Sequence, residues 1–138
     1  MGQQMISALN AIEVITFFVE DLPAARRFYK NIFGGDVVYE DAVSSVMTFG
    51  SIMINLLLAA EAPKLVAQNL VATPNAGTRL LLTIKVEDAD ATCEELRRHG
   101  VSLLNGPVDR PWGRRTAAFA DPAGNVWEIA QDLSHGQS

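Results

Sequence analysis

The sequence is poor in the residues that most often carry reactive or metal-binding chemistry. It has one cysteine, Cys93, and two histidines, His99 and His135, among 138 residues. A single cysteine excludes an intrachain disulfide and the cross-linked framework of small secreted domains, so a reducing, cytoplasmic setting is expected. Basic residues are also scarce. Eleven Lys and Arg stand against sixteen Asp and Glu, a formal net charge of −5. That balance leaves no basic stripe for a phosphate backbone and argues against a nucleic-acid partner. No apolar run approaches the roughly 18 residues of a membrane span, so no membrane partner is expected either. What remains is ordinary for a globular chain, with 49% hydrophobic and 20% charged residues, and long enough to bury a core as one domain.

Periodicity supplies the elements. Residues 11–19 (AIEVITFFV) are rich in β-branched and aromatic types and predict a buried strand. Asp21 is placed as an N-cap, Pro23 sits in the first turn, and Ala25, Phe28, Tyr29 and Ile32 form one helical stripe. Gly34-Gly35 closes that helix. Strands are expected at 36–39, 45–49 and 52–59. The stretch 61–77, with Pro63, Pro74, Asn75 and Gly77, reads as a linker with one helical turn around 65–70.

The pattern then restarts. Val86-Glu87-Asp88 repeats Val19-Glu20-Asp21, with a strand before it (80–86) and a helix after it that buries Ala89, Cys93 and Leu96. Gly100 closes the second helix, and strands follow at 102–105, 115–120 and 126–131. Cys93, on a buried stripe, reads as core filling rather than a nucleophile. The chain is therefore an α+β fold of two βαβββ modules. Residues 1–8 read as a flexible leader, 9–60 as module one, 61–78 as linker, 79–133 as module two and 134–138 as a tail.

Two segments carry a family resemblance: Val19-Glu20-Asp21-Leu22 with Ala24-Ala25-Arg26-Arg27-Phe28-Tyr29, and the closing Asp121-Pro122-Ala123-Gly124-Asn125-Val126-Trp127-Glu128-Ile129. They resemble the vicinal-oxygen-chelate superfamily, which includes glyoxalase I, extradiol dioxygenases and bleomycin-resistance proteins. The resemblance implies two modules curled into an incomplete barrel around a cavity, completed by a symmetric homodimer. It also implies a divalent metal, in the members that do chemistry, held by up to four side chains on strands. Those positions fall here on Val14, Asn55, Leu81 and Glu128. Valine and leucine cannot coordinate, and asparagine is a weak neutral donor, so no metal or other cofactor is expected, a divalent metal being disfavoured rather than impossible. Glu13 could substitute only if a β-bulge turned it inward. His99 at a helix end and His135 in the tail read as surface residues.

Strand alternation then puts Phe18, Met53, Asn55, Thr83 and Glu128 on the cavity side. Phe49 and Trp112 are aromatic candidates for stacking on a planar ligand, and Arg115 or its neighbour Arg114 is a candidate partner for the Glu128 carboxylate. Trp127 alternates away and reads as core. The expected function is metal-independent binding of a small planar or aromatic molecule, of the bleomycin-resistance, antibiotic-sequestering type. The alternative is a lyase, isomerase or dioxygenase-type enzyme in which Glu128 is the catalytic base or a metal ligand.

Overall fold

Each half of the chain folds into one four-stranded sheet with one helix packed on it. The structure, a computed structural model, describes residues 6–66 and 71–133. Module one runs β1 (Val14–Val19), α1 (Leu22–Asn31), β2 (Val37–Glu40), β3 (Ser44–Phe49) and β4 (Ile52–Leu58). Module two repeats this as β5 (Leu81–Lys85), α3 (Ala89–Arg98), β6 (Leu103–Arg110), β7 (Arg114–Ala120) and β8 (Val126–Asp132). The link between them contains a short helix, α2 (Pro63–Val66). The helical turn expected at 65–70 is thus found earlier, and 67–70 lie outside the described residues, as do His135 and the tail.

The sheet orders are β1-β4-β3-β2 and β5-β8-β7-β6, with β1 parallel to β4 and β5 parallel to β8. The α+β reading holds, and the two sheets are open rather than closed on themselves. The duplication extends to details. Asp21 and Asp88 cap the two helices by accepting from Ala24 N and Ala91 N. Both helices end on a glycine with positive φ, Gly34 at 69° and Gly100 at 82°, a conformation that costs glycine nothing. The equivalent edge strands β2 and β6 each carry a register shift, between Val37 and Tyr39 and between Leu103 and Asn105.

α1 packs on β3 and β4, and α3 on β6, β7 and β8. The helix-side faces of both sheets share one core that includes Phe17, Leu56, Cys93, Phe119 and Trp127. Burial raises the Cys93 thiol above its ordinary pKa, which fits a core filler. The junction between the halves is polar as well as apolar. Trp127 Nε1 donates to the Tyr29 hydroxyl at 3.1 Å, and that hydroxyl donates to Asp121 Oδ2 at 2.5 Å. Asp121 is 5% exposed. It also accepts from Ala123 N, Asn125 N and Asn125 Nδ2. A carboxylate this buried is tolerable only with such a set of donors. Burial first, then the Asp121 charge and hydrogen bond, hold the Tyr29 phenol well above its ordinary range.

Two sequence boundaries need correction. The first strand starts at Val14 rather than residue 11, where its pairing with Met53 begins. β6 does not stop at Asn105 but runs through Gly106-Pro107 to Arg110. Proline offers no N–H to a ladder, yet β6 is the outer strand of its sheet, where that loss is tolerated. Gly106 has positive φ, and a Cβ there would overlap the Thr116 carbonyl, so β6 lies this close to β7 only because that residue is glycine.

Tyr29→Phe removes one donor to a buried carboxylate and the acceptor of the Trp127 N–H. It should destabilise the protein by about 1–3 kcal/mol. Urea unfolding of the variant measures this, and an unchanged midpoint would show that the two halves do not depend on this junction.

Candidate functional site

With one face of each sheet committed to the core, alternation assigns the other face to function. We call it the open face. β1 places Val14, Thr16 and Phe18 there, and β4 places Met53, Asn55 and Leu57 beside them in the register Val14↔Met53, Thr16↔Asn55, Phe18↔Leu57. β5 contributes Leu81, Thr83 and Lys85, and β8 contributes Val126, Glu128 and Ala130, again paired in order. β1 against β4 shows no register shift from Val14 to Val19, and Glu13, exposed, lies before the first pair of that ladder.

The two modules put a polar pair at the same place. Thr83 Oγ1 donates to Glu128 Oε1 at 2.8 Å, and Asn55 Nδ2 reaches Thr16 Oγ1 at 3.4 Å. Asn55 Oδ1 is buried without a hydrogen-bond partner among the described residues. The flanking positions are carbon only: Val14 is 36% exposed and Leu81 is 52% exposed. Among the described residues no three His, Cys, Asp or Glu side chains gather as a metal-binding group. Two hydrocarbon side chains, one amide and one carboxylate do not fit the divalent ion that such a site would hold.

Three sequence candidates lie elsewhere. Phe49 pairs with Ile52, on the helix side of its sheet, and its ring packs against Phe33 and Trp127 at 5.5 and 5.6 Å. It belongs to the core, and the tight 49–52 hairpin already carried that parity. Arg115 pairs with Gln131, one residue out of phase with Glu128, and so also faces the helix side. There it binds Asp109 at 2.6 Å and Asp90 of α3 at 3.1 Å. It is therefore not the partner of Glu128, and of the two neighbouring arginines it is Arg114 that shares the Glu128 face. Trp112 stands 68% exposed in the β6–β7 turn, in neither the core nor the row of Glu128. Trp127 is buried in the core. His99 sits at the α3 C-terminus with Nδ1 on the Glu95 carbonyl at 2.9 Å.

The structure adds Asp132 and Arg110, which sequence reasoning missed. Arg114 and Lys85 converge on Asp132 at 2.8 and 3.2 Å, holding its carboxyl below the usual carboxylate range, Arg114 foremost. Arg110 donates through Nε to Thr116 Oγ1 at 2.9 Å on the same face. Arg110 was overlooked because the strand was ended at Asn105.

Two clefts are relevant. One of about 380 Å³ lies against Thr16 and Phe18 and is walled by linker residues 71–74 and 77–80 and by Ala123–Asn125. A larger one of about 1040 Å³ lies outside the sheets, between the ends of α1 and α3, lined by Arg27, Lys30 and His99. Neither cleft contains any of the four counted positions, and the duplicated polar pairs favour the open face as the site. No helix among the described residues is long and apolar enough to cross a membrane.

Comparison with known proteins agrees with this geometry. The sequence profile of the Glyoxalase/Bleomycin resistance protein/Dioxygenase superfamily matches residues 11–129. Among curated relatives, the uncharacterized protein YraH of Bacillus subtilis is 32% identical over 86% of this chain and 96% of its own length. Metallothiol transferase FosB of Staphylococcus epidermidis is 25% identical over 88% of this chain and 81% of its own. A glyoxalase/bleomycin resistance protein/dioxygenase from Nocardioides superposes with a TM-score of 0.82 at 21% identity, covering 94% of this chain and 91% of the other. TnmS3, an antibiotic binding protein from Streptomyces, superposes with a TM-score of 0.63 at 26% identity, covering 91% and 98%.

Arg115→Ala should lower the melting temperature without changing binding at the open face, and added salt should shrink the difference. Arg115 holds the Asp109 carboxyl below its ordinary value of 3.8. A depressed native pKa contributes stability that is full above 3.8 and is lost as pH falls below it. Melting curves of both proteins across acid pH should therefore converge. A difference that persists at low pH would contradict the assignment.

Proposed function

The chain belongs to the Glyoxalase/Bleomycin resistance protein/Dioxygenase superfamily, and on that premise we propose that it binds a small planar or aromatic molecule without a metal. Donor chemistry carries this reading. Val14 and Leu81 occupy two of the four positions where a metal would need ligands, and their side chains have none to give. The open face instead offers apolar area from Val14, Phe18, Met53 and Leu81, with Asn55, Thr16, Thr83 and Glu128 as a few orienting polar groups. That mixture is the usual make-up of a small-molecule site. The likeness to an antibiotic binding protein supports sequestration, in which affinity alone is the function.

The open faces are too exposed in one chain to enclose a ligand. A second copy that covered them would bury Val14, Leu81 and Val108, and a homodimer is part of the proposal. Light scattering at micromolar concentration checks it, and a monomer there would remove this part.

One observation favours an enzyme instead. Thr83 holds a single oxygen of Glu128, leaving the other free to take a proton, and FosB is a transferase. The two readings separate in one sample. Metal analysis of the purified protein is combined with melting curves in EDTA and in Mn²⁺, Ni²⁺, Zn²⁺ and Fe²⁺. The binding reading expects no stoichiometric metal and an unchanged melting temperature, with stabilisation by an aromatic ligand. A stoichiometric metal, or a turnover that Glu128→Gln abolishes while binding persists, overturns it in favour of the enzyme.

A further inference from the structure

The half-buried arginines of this chain are matched to carboxylates with one exception. Arg26 lies against Glu40, Arg114 against Asp132, and Arg115 against Asp109 and Asp90. Arg110 is also half-buried but has no carboxylate in ion-pair range among the described residues. Those residues include all sixteen Asp and Glu side chains.

Arg110 is nevertheless held in place. Its Nε donates to Thr116 Oγ1 at 2.9 Å, and Thr116, 1% exposed, is fixed in β7. A neutral hydroxyl uses one of the five N–H groups of a guanidinium. The stem of Arg110 helps cover the small side chain of Thr116, which explains its carbon atoms but not the remaining donors. An arginine kept partly out of water without an opposing charge is costly unless something else brings that charge.

The surroundings tell which charge. Arg110 pairs with Arg114, and Arg114 with Asp132, across the end of the module-two open face, where Lys85 also reaches Asp132. Three cations thus stand against one carboxylate, in a chain whose net charge is −5. Glu128 is one same-face step, about 7 Å, along β8 from Ala130, which lies across from Thr116.

We propose that this end of the open face is an oxyanion subsite. The Arg110 guanidinium, steadied by Thr116 and flanked by Arg114 and Lys85, takes a carboxylate or phosphate-type group on the ligand. Glu128, two same-face steps along β8 from Asp132, receives a hydrogen-bond donor further along the ligand. The ligand class is then a small aromatic acid that also carries a donor. This rests on the binding reading above and narrows it.

Wild type, Arg110→Gln and Thr116→Val are titrated with 2-naphthoate, with neutral 2-naphthamide and with inorganic phosphate. The arginine Nε–Hε signals are followed in nitrogen–proton correlation spectra. In wild type, naphthoate and phosphate should shift the Arg110 signal saturably. Naphthoate affinity should fall at least about tenfold in Arg110→Gln, the weight of a charge-assisted hydrogen bond, and naphthamide affinity should not change. Thr116→Val should weaken naphthoate in the same sense, which covers the case of a misfolded Arg110 variant. An Arg110 signal unmoved by both anions overturns the subsite. Equal binding of naphthamide and naphthoate to wild type overturns it too, while leaving the binding reading standing. If Arg110→Gln instead shifts the monomer–dimer balance in light scattering, Arg110 is an interface residue and the proposal fails.

Discussion

The contact on which the remainder of the structure depends is the hydrogen-bonded chain from Trp127 through Tyr29 to Asp121. It joins the helix of one module to the closing hairpin of the other across 98 residues of sequence. Aromatic rings pack around it, such as Phe33 against Trp127 at 4.8 Å. Apolar contact alone would let the halves slide, since it is not directional. The phenol and the carboxylate supply the direction. Five donors converge on or pass through Tyr29 and Asp121; three come from the turn that carries Asp121, and any other docking of the modules would cost the carboxylate the Tyr29 hydroxyl.

That docking has a functional consequence. Once both helix-side faces are spent on one core, strand alternation turns every second residue of β1, β4, β5 and β8 to the opposite face, where Leu57 and Ala130 are still buried. The site is thus a by-product of how the core is shared. It also explains why the two modules carry matching polar pairs: Thr16 with Asn55 and Thr83 with Glu128 occupy equivalent rungs of two equivalent parallel ladders.

Most of the fold could be read from the sequence, because its signals are local. The Asp21 and Asp88 caps, the glycine closures and the repeated helix stripes need only a few neighbouring residues to be recognised. The four counted positions came from the family resemblance, and the strand register puts all four on one face of their sheets. What failed were cases that depend on a partner strand. Phe49 and Arg115 were judged by chemical type, yet their faces are set by hairpin register against Ile52 and Gln131. β6 was cut short at Gly106-Pro107 because proline disfavours a central strand, and nothing local announces that this strand is an edge. That single error hid Arg110.

The two modules differ in the polarity of their equivalent rungs. Module one is neutral at its rung, with the unpartnered Asn55 oxygen set among hydrocarbon. Module two keeps Glu128 and places cations two rungs away, separated from it by the small side chains of Ala130 and Thr116. Opposite charges held apart on one rigid sheet cannot neutralise each other by collapsing together, since each is tied to its own hydroxyl. They remain available to a ligand long enough to touch both. A duplicated frame thus yields one uncharged wall and one charged wall.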